Sequence, residues 1–176
     1  MNRVLTTLAA AALAATAGCG SRKAPPAPLG AKVQVGPLLY TVHEVDWVDE
    51  LPGETSTRLP ERKFAIARLQ VQNTGNREVH VPLLKMISAQ GQSFIEQDDG
   101  KGVEEWWGIM RTVNPGETVT RRILFDVVPG DYSLQLTDGG DPDSETTRLV
   151  HVPFRMREGN PVTPLPSTDA TGEQQP

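Results

Sequence analysis

The sequence predicts an all-β domain, a two-sheet antiparallel sandwich of some eight or nine short strands. Three observations carry that expectation. Fifteen prolines and 16 glycines in 176 residues demand many turns and leave little room for long helices. Apolar and polar residues alternate along Leu38, Tyr40 and Val42, along Ala65, Ala67, Leu69 and Val71 against Arg68, Gln70 and Gln72, and along Val119, Ile123, Phe125 and Val127. That is the period of a strand with one buried face. Turn signals separate the alternating runs at Gly36-Pro37, Asn73-Thr74-Gly75-Asn76, Gln90-Gly91, Asn114-Pro115-Gly116 and Pro129-Gly130, where fixed or positive φ angles reverse a chain at low cost.

The chain opens with Arg3 followed by 14 small and apolar residues, Val4 to Ala17. This is the layout of an export signal, and it is too short for a membrane-spanning helix. Thr16-Ala17-Gly18-Cys19 then resembles the lipobox of bacterial lipoproteins. The resemblance implies a signal peptide over 1–18 and acylation of Cys19, the sole cysteine. Two or three acyl chains hold a protein firmly at a membrane, and one does so only marginally. Gly20 follows Cys19 where an inner-membrane retention signal would have Asp. The resemblance therefore implies an outer-membrane location in a Gram-negative cell, and otherwise the extracellular face of the plasma membrane.

Residues 19–30, with Pro25, Pro26 and Pro28, read as a tether. The sandwich is expected over 31–157. Its remaining strands are Val33–Val35, Val79–Val81, Leu84–Ser88, Ser93–Glu96, Tyr132–Leu136 and Leu149–Phe154. Pro82 and Pro153 lack a donor for a ladder, so they belong at strand ends or edges. Residues 158–176 are rich in Pro, Ser, Thr, Gln and Gly, with too little apolar area to offset the entropy of ordering, and read as a disordered tail.

From Leu38 to Thr137 the chain resembles an uncharacterised immunoglobulin-like domain, a numbered domain of unknown function found in bacterial lipoproteins and secreted proteins, a sandwich of the kind seen in a secreted mycobacterial immunogenic protein. The residues that carry the resemblance are Phe64 to Val71 leading into Asn73-Thr74-Gly75, the run Gln90-Gly91-Gln92-Ser93-Phe94, and Asn114-Pro115-Gly116-Glu117-Thr118-Val119 leading into Leu124-Phe125-Asp126-Val127. It implies an immunoglobulin-like antiparallel sandwich and supplies no reaction and no ligand.

A net charge of −5 argues against nucleic acid, whose phosphates require a basic face. A lone cysteine forms no internal disulfide. No Gly-x-Ser-x-Gly elbow positions a serine, and Glu104-Glu105 are adjacent rather than facing. His43, His80 and His151 show no zinc spacing; soft copper pairs would need His80 with Met86 or His151 with Met156. The acidic run Asp138, Asp141, Asp143 and Glu145 offers oxygen ligands to calcium without the spacing of an EF-hand, and Asp98-Asp99 would join it if the two loops were neighbours. Trp106 and Trp107 fall in Val103 to Met110, where a short helical turn would pack one indole on the sandwich and offer the other to a protein or glycan. The 14-residue connection 49–62 is long enough to be a binding loop or a tolerated insertion. Counting strand reversals from Gly30 puts loops 49–62, 90–91 and 129–130 at the tethered end, and loops 97–112 and 138–147 together at the other.

The sequence thus predicts a lipid-anchored envelope protein with a non-catalytic binding or scaffolding module and no cofactor. Its partners are the membrane, through Cys19, and an envelope protein or glycan. The alternatives are a calcium- or small-ligand-binding accessory lipoprotein and an envelope enzyme.

Overall fold

The structure, a computed structural model, describes residues 24–141 and 143–155. The signal segment, Cys19 and the tail 158–176 lie outside the described residues. Among the described residues ten strands follow in order: β1 (Lys32–Val35), β2 (Leu38–Val48), β3 (Phe64–Asn73), β4 (Val79–His80), β5 (Lys85–Ser88), β6 (Ser93–Ile95), β7 (Thr112–Val113), β8 (Thr118–Asp126), β9 (Tyr132–Thr137) and β10 (Thr147–Val152). They form one sheet in the order β1-β2-β3-β8, a second in the order β10-β9-β5-β6, and a two-stranded ribbon, β4-β7. Every strand pairing is antiparallel, so the predicted all-β sandwich is what the chain forms. Pro82 lies between β4 and β5, and Pro153 directly follows β10, where neither removes a ladder hydrogen bond.

Alternation explains the core. On β3 the inward residues Ala65, Ala67, Leu69 and Val71 are buried, and Arg68, Gln70 and Gln72 face outward. Ala65 sits in register between Trp47 of β2 and Phe125 of β8. Small beside large lets the central strand carry bulky neighbours on both sides without overpacking. On β2 the register shifts between Val42 and Glu44. This bulge moves the inward phase from Tyr40 and Val42 to Val45 and Trp47, and turns Glu44 and Asp46 outward. Without the extra residue, the carboxylates would point into the core.

At one end of the sandwich, Trp47, Phe94, Tyr132 and Phe154 form an aromatic cluster. Trp47 meets Phe154 edge-on at 5.1 Å, and Phe94 meets Tyr132 at 5.8 Å. The Tyr132 hydroxyl donates to the Val128 carbonyl at 2.7 Å, four residues upstream, in the manner of the tyrosine corner of immunoglobulin-like sandwiches. Loop 49–62 lies at this end and is well tied. Leu51 and Arg58 exchange both backbone hydrogen bonds, and the Asp126 carboxylate accepts the amides of Glu61 and Arg62. At the other end, buried Asn73 donates to the carbonyls of Arg77 and Val113 and accepts from the amide of Gly75. One side chain thereby fixes the turn that the Asn-Thr-Gly-Asn signal announces.

Two expectations are corrected. The tether expected to run to Gly30 joins the sandwich earlier: Ala27 bridges Val150 in parallel, and the amide of Gly30 donates to Val42. Because Ala27 runs parallel to β10, the chain enters from the end where β10 begins, beside loop 138–146. That acidic loop is therefore on the entry side, not opposite it. Loop 97–112 keeps to neither end. Arg58 donates to the Asp99 carbonyl at 2.8 Å at the aromatic end, and Val79 pairs with Val113 at the other.

Tyr40 links the two sheets directly, its buried hydroxyl donating to the Thr137 carbonyl at 2.7 Å. Burial above all raises this hydroxyl's pKa, so it stays protonated as a donor. Tyr40→Phe is expected to lower the free energy of unfolding by about 1–2 kcal/mol, the usual cost of an unmet buried hydrogen bond. Urea denaturation checks this, and an unchanged midpoint would remove the hydroxyl from the account.

Candidate functional site

The surface that stands out begins from a buried ion pair. Arg111 Nη1 lies 2.5 Å from Glu96 Oε1, and neither side chain is accessible to solvent. The pair sits where two segments change sheets. The amide of Val81 donates to the Arg111 carbonyl and that of Glu96 to the Leu84 carbonyl. The chain thus passes from β4 to β5 across Pro82, directly beside the passage from β6 to β7. Arg111 Nε also donates to the Gly108 carbonyl at 2.6 Å, and its guanidinium lies 5.0 Å from the Trp107 ring centre. Burial pushes the Glu96 carboxyl up to about 7, against the pull of Arg111.

Between the paired residues, segment 97–110 runs along the open edge of β8. Gln97 donates to Leu124, Arg122 to Glu105, and Trp107 back to Arg122. The helical turn expected over Val103 to Met110 is absent, because Gly102, Glu105 and Gly108 all take positive φ. Consequently Val103 and Trp107 do not share a face. Val103 joins a small cluster with Leu51, Phe64 and Leu124, while Trp107 packs on the main core. Trp106 is half-buried too, lying over Gly100 so closely that a Cβ there would come within 2.1 Å of the ring. Neither indole is an exposed anchor. The residues presented to solvent are the next two apolar ones, Ile109 (53% exposed) and Met110 (93%).

These two face the acidic loop across a cavity of about 590 Å³, lined also by His80, Val81, Pro82, Gly139 and Gly140. Gly139 is required there. Its φ is +71°, and a Cβ would lie 2.0 Å from the His80 carbonyl oxygen. Desolvation works to raise the Asp138 carboxyl, but the amides of Gly140 and Thr146 outweigh it and hold it below the usual range. The Thr137 hydroxyl donates to Glu145. Asp138 and Glu145 thus fasten the base of their own loop, while Asp141 and Asp143 are exposed.

Among the described residues, no three His, Cys, Asp or Glu side chains are grouped to hold a metal ion. Asp99 does not approach the acidic loop; it pairs with Arg58 at the aromatic end. His80 is exposed, near Thr112 and Glu78, whereas Met86 is wholly buried, so those two form no copper pair. Met156 lies outside the described residues. A groove of about 660 Å³ lies on the outer face of the first sheet between Glu44, Asp46, Ile66, Val103 and Arg122. Its polar groups include the ion pair of Arg122 with Glu104 at 3.4 Å. No described helix is long and apolar enough to cross a membrane.

The comparisons agree with this architecture. Residues 27–147 match the model of a domain of unknown function, DUF4352, extending on both sides the segment that resembles a domain of this kind. Among functionally curated proteins none matches the sequence. Of solved structures, the yjhA protein of Bacillus subtilis is 17% identical with a TM-score of 0.56, covering 72% of this chain and 98% of its own. The ycdA protein of the same organism, described as a candidate lipoprotein, is 16% identical with a TM-score of 0.54; 70% of this chain matches 38% of it. A functionally unknown protein of Listeria monocytogenes is 8% identical at a TM-score of 0.52, over 74% and 85% of the two chains. At such identities the likeness shows the fold alone.

The ion pair sets two expectations. Arg111→Met leaves the buried Glu96 carboxyl group without its partner and is expected to cost about 3–5 kcal/mol, whereas the double replacement Glu96→Leu with Arg111→Met regains most of that loss. Glu96 binds its proton more tightly folded than unfolded. Its stabilising contribution is therefore complete below the unfolded value of 4.5 and is lost as pH rises through about 7. Thermal unfolding from pH 4.5 to 8 checks the sign: Glu96→Gln should flatten the decline, and an unaltered profile would show that Glu96 does not titrate in that window.

Proposed function

The chain belongs to the DUF4352 family of domains of unknown function, and from that premise we propose that it is a cell-envelope binding or scaffolding module, held to a membrane by acyl chains on Cys19. The observation that carries this reading is the junction of Thr16-Ala17-Gly18-Cys19 with the 14-residue apolar run before it. Only a short spacer separates Cys19 from the sandwich. Seven residues, 20–26, precede Ala27, a span of about 22 Å if extended at roughly 3.1 Å per residue. An acylated Cys19 would thus keep the domain close to the lipid, attached from the side of the acidic loop. On this reading the protein acts at the outer membrane of a Gram-negative cell or on the extracellular face of a plasma membrane.

The module itself is non-catalytic. Its polar groups of greatest chemical interest, Glu96 and Arg111, are inaccessible and engaged with each other, so they have no route to a substrate. What the sandwich presents to a partner is a fixed surface at the crossing segment and the acidic loop. Trp106 and Trp107, the contact residues expected from the sequence, belong to the crossing segment. Within it, contact falls to Ile109 and Met110.

Expression in a bacterium with a lipoprotein-processing pathway tests the anchor. The wild-type protein should fractionate with membranes and take up an alkyne-tagged palmitate, and Cys19→Ser should be released and unlabelled. A Cys19→Ser protein that stayed with the membranes would refute acylation as the anchor.

A further inference from the structure

Resting on the reading of the domain as a binding module, we propose that the surface formed by Ile109, Met110, Pro82 and Gly139–Gly140 docks a protein segment in which basic residues flank an exposed apolar side chain. Ile109 and Met110 are adjacent and outward at the tip of a segment that is otherwise held. Arg111, the next residue, is buried in its ion pair, and Trp107, two residues before, packs on the core. The tip is therefore presented on a rigid support, which reduces the ordering cost of association. An exposed methionine beside isoleucine suits a partner's apolar residue because its unbranched thioether adapts to the shape offered.

The cavity beside the tip gives that apolar residue a seat. One wall is Ile109 and Met110, another is His80, Val81 and Pro82, and the floor is the main chain of Gly139–Gly140, bare of side chains. The charge around it selects the partner's flanks. Asp141, Asp143 and Glu145 are exposed in the loop that supplies the floor, and Glu78 is exposed beside His80. Arg111 also lines the cavity, but its charge is spent on Glu96. No acidic side chain lines the cavity itself, but Asp141, next to Gly140, and Glu78, beside His80, adjoin the apolar seat, and their charge favours Lys or Arg beside the inserted residue and repels acidic partners.

Panning a phage-displayed library of random twelve-residue peptides against the purified full-length protein tests the proposal without a known partner. The recovered peptides are expected to place Lys or Arg around a Leu, Ile, Met or aromatic residue, and to lose affinity as salt is raised. Binding should fall at least tenfold in Met110→Glu, in Ile109→Ser, and in the double variant Asp141→Lys with Asp143→Lys. All of these positions are exposed, so the melting temperatures should stay at the wild-type value. Peptides that lack basic residues, or that bind the three variants as well as the wild type, would overturn this surface while leaving a binding module in place. Recovery of no specific peptide would likewise overturn this surface, whereas the reading of the domain as a binding or scaffolding module stands or falls on its own partner, protein or glycan.

Discussion

The structure depends on how one buried charge pair is accommodated. Taking a guanidinium and a carboxylate out of water costs several kcal/mol for each ion, and the sandwich recovers that only while the two remain in contact. Glu96 directly follows β6, the strand that leaves the second sheet, and Arg111 directly precedes β7, which joins the ribbon. Their contact closes the 14 residues between them into a loop whose ends cannot drift apart. The same pair stands beside Val81 and Leu84, where the chain crosses between sheets in the opposite direction. The ion pair thus adds a side-chain contact to the backbone bonds that join the two crossings.

The presented surface follows from that constraint. With Arg111 drawn inward and Trp107 laid against the core, Ile109 and Met110 have nowhere to go but outward. Gly139 brings the acidic loop against the His80 carbonyl, leaving apolar tip and cavity side by side. The solved structures it resembles share the sandwich at low identity. The entry of the chain at Ala27 adds a direction: whatever precedes the domain arrives from the acidic-loop end.

Most of the strands were legible because a strand with one wet face writes its period into the chain, as β3 does from Ala65 to Val71. The β2 bulge was not, since a single inserted residue, His43, leaves only a phase change that reads as an imperfect pattern. The ribbon strand β7 was missed because two residues carry no period. In the site, Trp106 and Trp107 singled out their segment by bulk alone. Their size was visible, but the positive φ of Glu105, which denies them a helix, has no signature in a residue that normally avoids that region. Glu96 and Arg111 were passed over altogether. Fifteen positions apart and of types that usually stay wet, they could have been found only through a local oddity: Glu96 ends an alternating strand, and Arg111 immediately precedes the apolar-polar run into Asn114.

The central claim is that the ion pair, and not the backbone bonds to β8, keeps the crossing segment in place. Residue-resolved amide hydrogen exchange on the double variant Glu96→Leu with Arg111→Met tests it most directly. The account predicts that the amides of Gln97 and Trp107, which bond to β8, exchange at least tenfold faster than in the wild type, while the amides of β3 retain their protection. If Gln97 and Trp107 were as protected without the pair as with it, the β8 edge would suffice to hold the segment, and the account would be contradicted.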